Sequence, residues 1–213
     1  MLEAQDWEFL KGNFCDKFDF EGDDLGLIYK NAYKKRLRAG QIIYASEDCL
    51  GYVLLRSGLL RAFIGTGGKE LTVFSIQNGE SCMICDTCKF ALAQNRLSVE
   101  ARSECELIVI PPSIFKILKE RYPAVLNFAL EIVAKRFSQV IMASEQAIFA
   151  PLSERIMGFL RENLGANGEV CATHEDIANH IGSAREAVSR VLKEMEKSGK
   201  IALSRGKVVV IEI

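Results

Sequence analysis

Between Pro123 and Pro151 the chain contains neither glycine nor proline. A stretch of that length predicts a helix of twenty-odd residues, a rod of about 40 Å at ~1.5 Å per residue. Within it Leu126, Leu130, Val133, Phe137, Val140, Ser144 and Ala147 recur at spacings of 4, 3, 4, 3, 4 and 3. That is a heptad seam, the pattern by which helices pair in a coiled coil, and it predicts self-association as a parallel homodimer. Packing of the rod on its own domain is the alternative. The rod divides the chain into residues 1–122, the dimerisation helix 123–149 and residues 150–213.

The first segment reads as β structure. From about Ala32 to Ile110 short apolar runs are separated by Gly40, Gly51, Gly58, Gly67, Gly68 and Gly79, the spacing of antiparallel strands joined by turns. Tyr52 to Leu55, Leu59 to Ile64, Leu71 to Ile76 and Leu107 to Ile110 are the clearest strands. They predict a small antiparallel β-roll, and with the helices an α+β chain. Pro111 and Pro112 end the strands, and proline suits a helix's first turn. The pattern predicts a helix over Ser113 to Glu120 with Ile114, Ile117 and Leu118 inward.

Beyond Pro151, Leu152 to Leu164 is amphipathic, with Ile156, Phe159 and Leu160 on one side. Gly165 to Gly168 is a turn. Thr173 is placed to cap a helix with Asp176 three residues on, and Ile177, Ala178 and Ile181 form its apolar face before Gly182. Ser183 is placed to cap the next helix, with Glu186 completing a second capping box. That helix has Ala184, Val188, Val191, Leu192 and Met195 on one side and Arg185, Glu186, Ser189, Arg190 and Lys193 on the other. Ile201 to Leu203 and Val208 to Ile211 flank Ser204, Arg205, Gly206 and Lys207, a hairpin with a basic tip. Two helices across a glycine turn, followed by such a hairpin, make a winged helix-turn-helix.

The exposed residues have the chemistry to read double-stranded DNA. Arginine donates in bidentate fashion to guanine, and glutamate accepts from the cytosine amino group. Arg190 and Glu186 stand one turn apart on one face for such contacts. Ser189, Thr173, Lys193 and the wing residues Arg205 and Lys207 suit phosphate or mixed contacts that fix register, and Arg185 and Ser183 are further candidates for DNA contact. Charge supports local rather than bulk contact: 27 Lys and Arg against 28 Asp and Glu leave a net charge of −1. A dimer would require a palindromic site.

Glu3, Asp6 and Glu8 near the start do not fit a secretory signal, and no run reaches the ~18 apolar residues of a membrane span, so a cytoplasmic location is expected. In that reducing compartment the seven cysteines are thiols, ligands or redox centres rather than staples.

The order of roll, long helix and winged helix-turn-helix resembles the CRP/FNR family of transcription regulators, over nearly the whole chain. The resemblance rests on the run Ser183-Ala184-Arg185-Glu186-Ala187-Val188-Ser189-Arg190-Val191-Leu192-Lys193, on Arg38 to Tyr44, and on Leu55 to Arg61. It implies a cyclic-nucleotide-binding-like jelly roll, a homodimer, DNA as target and RNA polymerase as a further partner. Ser189 between Glu186 and Arg190 is similar to the FNR branch, which implies a TTGA-type half-site such as TTGAT-N4-ATCAA.

Members that bind cyclic AMP carry a Gly-Glu pair followed by an Arg-Ser pair. Gly79 and Glu80 match the first. The nearest candidate for the second, Arg96, is followed by Leu97, so a cyclic phosphate lacks its charged partner and cyclic AMP is not the expected effector. The stretch instead holds Cys82, Cys85 and Cys88 at a Cys-x2-Cys-x2-Cys spacing, with Cys105 available as a fourth thiol. These can share a metal or iron-sulfur cluster, form a disulfide switch, or pack as small apolar side chains. The FNR branch places its cluster cysteines near the N-terminus, where only Cys15 stands here. Both histidines, His174 and His180, fall in the helix-turn-helix, with His174 placed to be exposed or DNA-facing. None is left in the roll as a base for a cysteine nucleophile, which argues against an enzyme. An effector-independent regulator and a small-ligand-binding module without DNA function remain the alternatives.

Overall fold

The computed structural model describes residues 2–44, 50–66, 69–84 and 97–212, and the chain forms two compact units. One comprises Met1–Phe63 with Phe74–Gln139, the other Ile64–Val73 with Val140–Ile213.

The first unit opens on helices α1 (Ala4–Asn13) and α2 (Asp24–Asn31), which the sequence pattern does not announce. The buried residues of α1 are Asp6 and Leu10, so it has no apolar stripe to recognise. The Asp6 carboxylate is wholly buried, at 0 % exposure. It accepts from the Glu3 N–H at 3.3 Å, closing the helix's capping box. It also pairs with Lys34 Nζ at 2.8 Å and with Arg56. A charge with two cationic partners can be buried where a lone one cannot.

Strands β1 (Tyr33–Leu37), β2 (Ile42–Tyr44), β3 (Gly51–Ser57), β4 (Leu60–Thr66), β5 (Lys69–Ile76), β6 (Ser81–Ile84), β7 (Leu97–Ala101) and β8 (Cys105–Ile110) follow. They form two four-stranded sheets, ordered β1-β8-β3-β6 and β2-β7-β4-β5. In the first, β3 lies antiparallel to β6 and to β8, and all of Gly51 to Leu55 is buried. Gly51 has φ +88°, and an added Cβ would lie 2.4 Å from the Ile110 carbonyl oxygen. Helix α3 (Pro112–Arg121) starts with proline in its first turn, as expected. It buries Ile114, Phe115 and Leu118. Phe115 takes the inward place predicted for Ile117, because its ring stacks on Tyr52 at 5.4 Å and 8°. Phe14 lies 4.7 Å from the same tyrosine, and these rings centre the core.

Helix α4 spans Pro123–Phe149, the limits predicted. Val125, Ala129, Ile132 and Arg136 are its buried residues. Leu126, Leu130, Val133 and Phe137 are exposed, the last at 64 %, and Val140 is half-buried. The roll therefore takes one side of the rod and the heptad seam lies on another.

The second unit holds α5 (Leu152–Glu162), β9 (Glu169–Val170), α6 (His174–Ile181), α7 (Arg185–Lys197), β10 (Ile201–Ser204) and β11 (Lys207–Val210). The strands form a sheet ordered β10-β11-β9. Its core includes Ile156, Leu160, Ile177, Val188, Leu192 and Val208, all essentially inaccessible. No helix among the described residues is long and apolar enough to cross a membrane.

Candidate nucleic-acid interface

Helix α6 begins at the capping box read from the sequence. Asp176 N–H donates to Thr173 Oγ1 at 3.1 Å, and Thr173 N–H donates to Asp176 Oδ2 at 3.0 Å. Thr173's hydroxyl is thereby committed to the helix start. Gly182 ends α6 at φ +69° and ψ 39°, the left-handed conformation that favours glycine. The N–H groups of Gly182 and Ser183 both donate to the Ala178 carbonyl.

That closure changes the start of α7. Ser183 spends its N–H finishing α6, so the chain needs one more residue to turn, and Ala184 rather than Ser183 is the N-cap. No side-chain cap bond is formed and Glu186 stands at the second helical position, so the second capping box predicted is absent. Ala184 and Val191 are half-buried, while Val188, Leu192 and Met195 carry the packing. Arg155 ties α5 to the motif by donating from Nη1 to the Ile181 carbonyl at 2.9 Å.

Arg185, Glu186, Ser189, Arg190 and Lys193 together line one open concavity of about 460 Å³. Ser183 is not among its lining residues. Arg185, Glu186, Arg190 and Lys193 are exposed and Ser189 is half-buried. Ser189 Oγ lies 2.8 Å from His174 Nδ1. His174 is half-buried rather than exposed, since α6 turns its first residue toward α7. Only the expectation that the two helices cross could have found this pair, because the residues are fifteen apart in sequence.

The wing is a hairpin with Ser204 opposite Lys207 and Arg205-Gly206 as its turn. Lys207 Nζ is 2.9 Å from Glu169 Oε2, which also accepts from Asn167 Nδ2 at 2.9 Å. The hydrogen bond, and then the attraction of the charges, hold Lys207 above the usual lysine range and Glu169 below the usual carboxylate range. Arg185 Nε faces Glu175 Oε2 at a looser 3.9 Å. Two of the basic groups expected to meet DNA thus already have carboxylate neighbours.

In the roll, Gly79 occupies a turn with φ +81°, and Glu80 is tied to α4. Its carboxylate pairs with Lys135 at 2.6 Å and Arg136 at 3.7 Å, and accepts from Gln77 N–H at 3.0 Å. Burial opposes ionisation of this carboxyl, but the bonds from Lys135 and Gln77 and the Arg136 charge outweigh it and lower its pKa. Arg136, 7 % exposed, donates to the carbonyls of Ser75 at 3.3 Å and Ser81 at 2.9 Å. Neither cation is marked by the sequence pattern, since both read as breaks in an apolar helix.

Arg96, Cys85 and Cys88 lie outside the described residues. Cys82 and Cys105 are buried in one sheet but not together. Cys82 faces Val53, whose other neighbour is Val109, four residues along β8 from Cys105. At ~3.3 Å per residue and ~4.8 Å per strand the two stand roughly 16 Å apart. Thiolates sharing one zinc at ~2.3 Å each are within about 5 Å of one another, so Cys105 does not complete a site with Cys82. Among the described residues no group of three or more His, Cys, Asp or Glu is placed to hold a metal ion.

A match to the Crp-like helix-turn-helix domain covers residues 154–213. A transcriptional regulator of the crp/fnr family from Eubacterium rectale, known from its crystal structure, is 32% identical. The similarity covers 92% of this chain and 95% of that one, with a TM-score of 0.84. The cyclic AMP receptor protein of Thermus thermophilus is 26% identical over 196 residues, 89% of this chain and 88% of its own length. The nitrogen fixation regulation protein FixK of Azorhizobium caulinodans is 27% identical over 176 residues, 75% of this chain and 66% of its own.

Proposed function

The chain belongs to the CRP/FNR family of transcriptional regulators, and from that premise we propose that it is a homodimeric, cytoplasmic regulator that reads a palindromic DNA site. The observation that carries this is the concavity on α7, lined by Arg185, Glu186, Ser189, Arg190 and Lys193, in a unit that also carries the basic hairpin. Glu186 and Arg190 read base edges, and Arg185, Lys193 and Arg205 hold phosphates. The half-site is of TTGA type, by likeness to the FNR branch. The two protomers meet along the exposed seam of α4, which sets the spacing of the two reading helices. The protein is a regulator rather than an enzyme, and RNA polymerase is its further partner.

The signal enters at the roll and is not cyclic AMP. Glu80, the counterpart of the family's ribose-binding glutamate, is engaged by Lys135 and Arg136, and no Arg-Ser pair follows it between Ser81 and Leu97. A rearrangement of that cluster changes how α4 presents its seam.

Fluorescence anisotropy on a TTGAT-N4-ATCAA duplex and a scrambled control, across a salt titration, tests the reading. Sequence preference together with affinity that falls steeply with salt supports it. Phe137→Glu is expected to give a monomer that has lost site-specific binding. A dimeric Phe137→Glu variant of full affinity would remove α4 as the interface.

A further inference from the structure

A serine inside a helix has a default partner, the carbonyl four residues back. Ser144 follows it, donating to the Val140 carbonyl at 2.8 Å. Ser189 does not. Its oxygen is held 2.8 Å from His174 Nδ1, on the edge of the reading surface it shares with Glu186 and Arg190. Both backbones behind the contact are fixed. Helix α6 is locked by its capping box and by buried Ile177, Ala178 and Ile181, and α7 by buried Val188, Leu192 and Met195.

A hydroxyl carries one proton and two lone pairs. With Nδ1 as the acceptor, the one hydroxyl proton is committed to the imidazole, and what the oxygen then offers a base edge is lone pairs alone, fixed before DNA arrives. Adenine and cytosine present amino donors in the major groove where guanine and thymine present carbonyl acceptors. A serine of fixed orientation discriminates between these classes, and a freely rotating one does not.

We propose that His174 is a positioning residue for DNA reading: its Nδ1 orients the Ser189 hydroxyl and so sets the base preference at the position Ser189 faces. This rests on the reading of α7 as the DNA-contacting helix. His174 itself need not touch DNA.

The test is binding selection from duplexes with a randomised palindromic half-site, on the full-length protein. Wild type, His174→Ala, Ser189→Ala, the double variant and His174→Asn are compared, the last because its amide places a polar atom near Nδ1. His174→Ala is expected to flatten preference at one half-site position and to weaken the best site about 3- to 10-fold per protomer, hence roughly 10- to 100-fold for the two-fold site. Binding to scrambled duplex is expected to stay unchanged. In the Ser189→Ala background the same substitution is expected to do nothing further, and His174→Asn is expected to restore the preference. Thermal unfolding of each variant separates a folding defect from a reading defect. Equal losses from His174→Ala with and without Ser189, or a loss of affinity with the base profile intact, would overturn the proposal and leave His174 as a helix-to-helix staple. Selection of no sequence by the wild type would overturn both this and the regulatory function.

Discussion

Glu169 pairs with Lys207 at 2.9 Å, and Lys207 is one of the residues expected to meet a DNA phosphate. Replacing Glu169 with glutamine keeps an oxygen for the Asn167 amide and leaves the pairing of β9 with β11 at Val208 and Val209 untouched. It removes the charge that holds the Lys207 ammonium at 2.9 Å. If the wild-type lysine stays with its carboxylate when DNA binds, Glu169→Gln releases one further cation per protomer for the backbone. Each phosphate neutralised on duplex DNA steepens the dependence of log affinity on log salt by ~0.9. Two protomers therefore steepen it by about 1.8, so the variant's loss of affinity between 50 and 200 mM salt exceeds the wild type's by roughly tenfold. Lys207→Ala is expected to leave the wild-type slope unchanged and to abolish the gain in the Glu169→Gln background. Anisotropy titrations on one duplex at four salt concentrations measure both. An unchanged slope in Glu169→Gln, or an equal flattening by Lys207→Ala in the two backgrounds, would show that Lys207 already reaches DNA and refute the reasoning.

Three further outcomes follow from buried or half-buried polar groups. The Tyr52 hydroxyl is buried without a hydrogen bond of good geometry, the Ser81 side chain being a polar neighbour, and burial above all pushes its pKa up, so Tyr52→Phe is expected to change stability by less than about 1 kcal/mol in chemical denaturation; a larger loss would reveal a well-formed bond to that oxygen. Asp6→Asn leaves the Lys34 and Arg56 charges without their buried counterion and is expected to cost about 3–5 kcal/mol by the same assay, whereas a cost below about 1 kcal/mol would mean that water serves the two cations as well. Glu80 has a folded-state pKa below its unfolded one, so its contribution is fully present above the ordinary glutamate range and is lost as pH falls through the folded value. The wild type's melting temperature should therefore drop more steeply on acidification below about pH 4.3 than that of Glu80→Gln, and parallel curves would remove the Lys135 and Arg136 pairing as a stabilising element.

The long helix and the helix-turn-helix were legible because local rules govern them. Absence of glycine and proline sets the limits of α4, and the Thr173 and Asp176 box and Gly182 set those of α6. Where two elements compete for one group, local rules fail. Ser183 looked like a cap, but its N–H was already needed to finish α6. Ile117 has the right spacing to face inward, yet Phe115 wins the place because a ring on Tyr52 fills more of it. Helix α1 is held by a buried carboxylate with cations from two strands, a contact between distant residues that no periodicity encodes. His174 with Ser189, and Glu80 with Lys135 and Arg136, belong to the same class. The residues proposed to read bases were visible in the sequence, and the neighbours they meet in the fold were not.

Each inward residue of α4 immediately precedes an outward one: Val125 and Leu126, Ala129 and Leu130, Ile132 and Val133, Arg136 and Phe137. One residue is about 100° of rotation about the helix axis. A purely apolar stripe would accept a slide of seven residues almost as readily as its true seat. A guanidinium that must find the carbonyls of Ser75 and Ser81 accepts one seat alone. Arg136 works as the key on a shaft, fixing both the height and the clocking of the rod, and whatever meets the outward stripe meets it at an angle decided inside the roll.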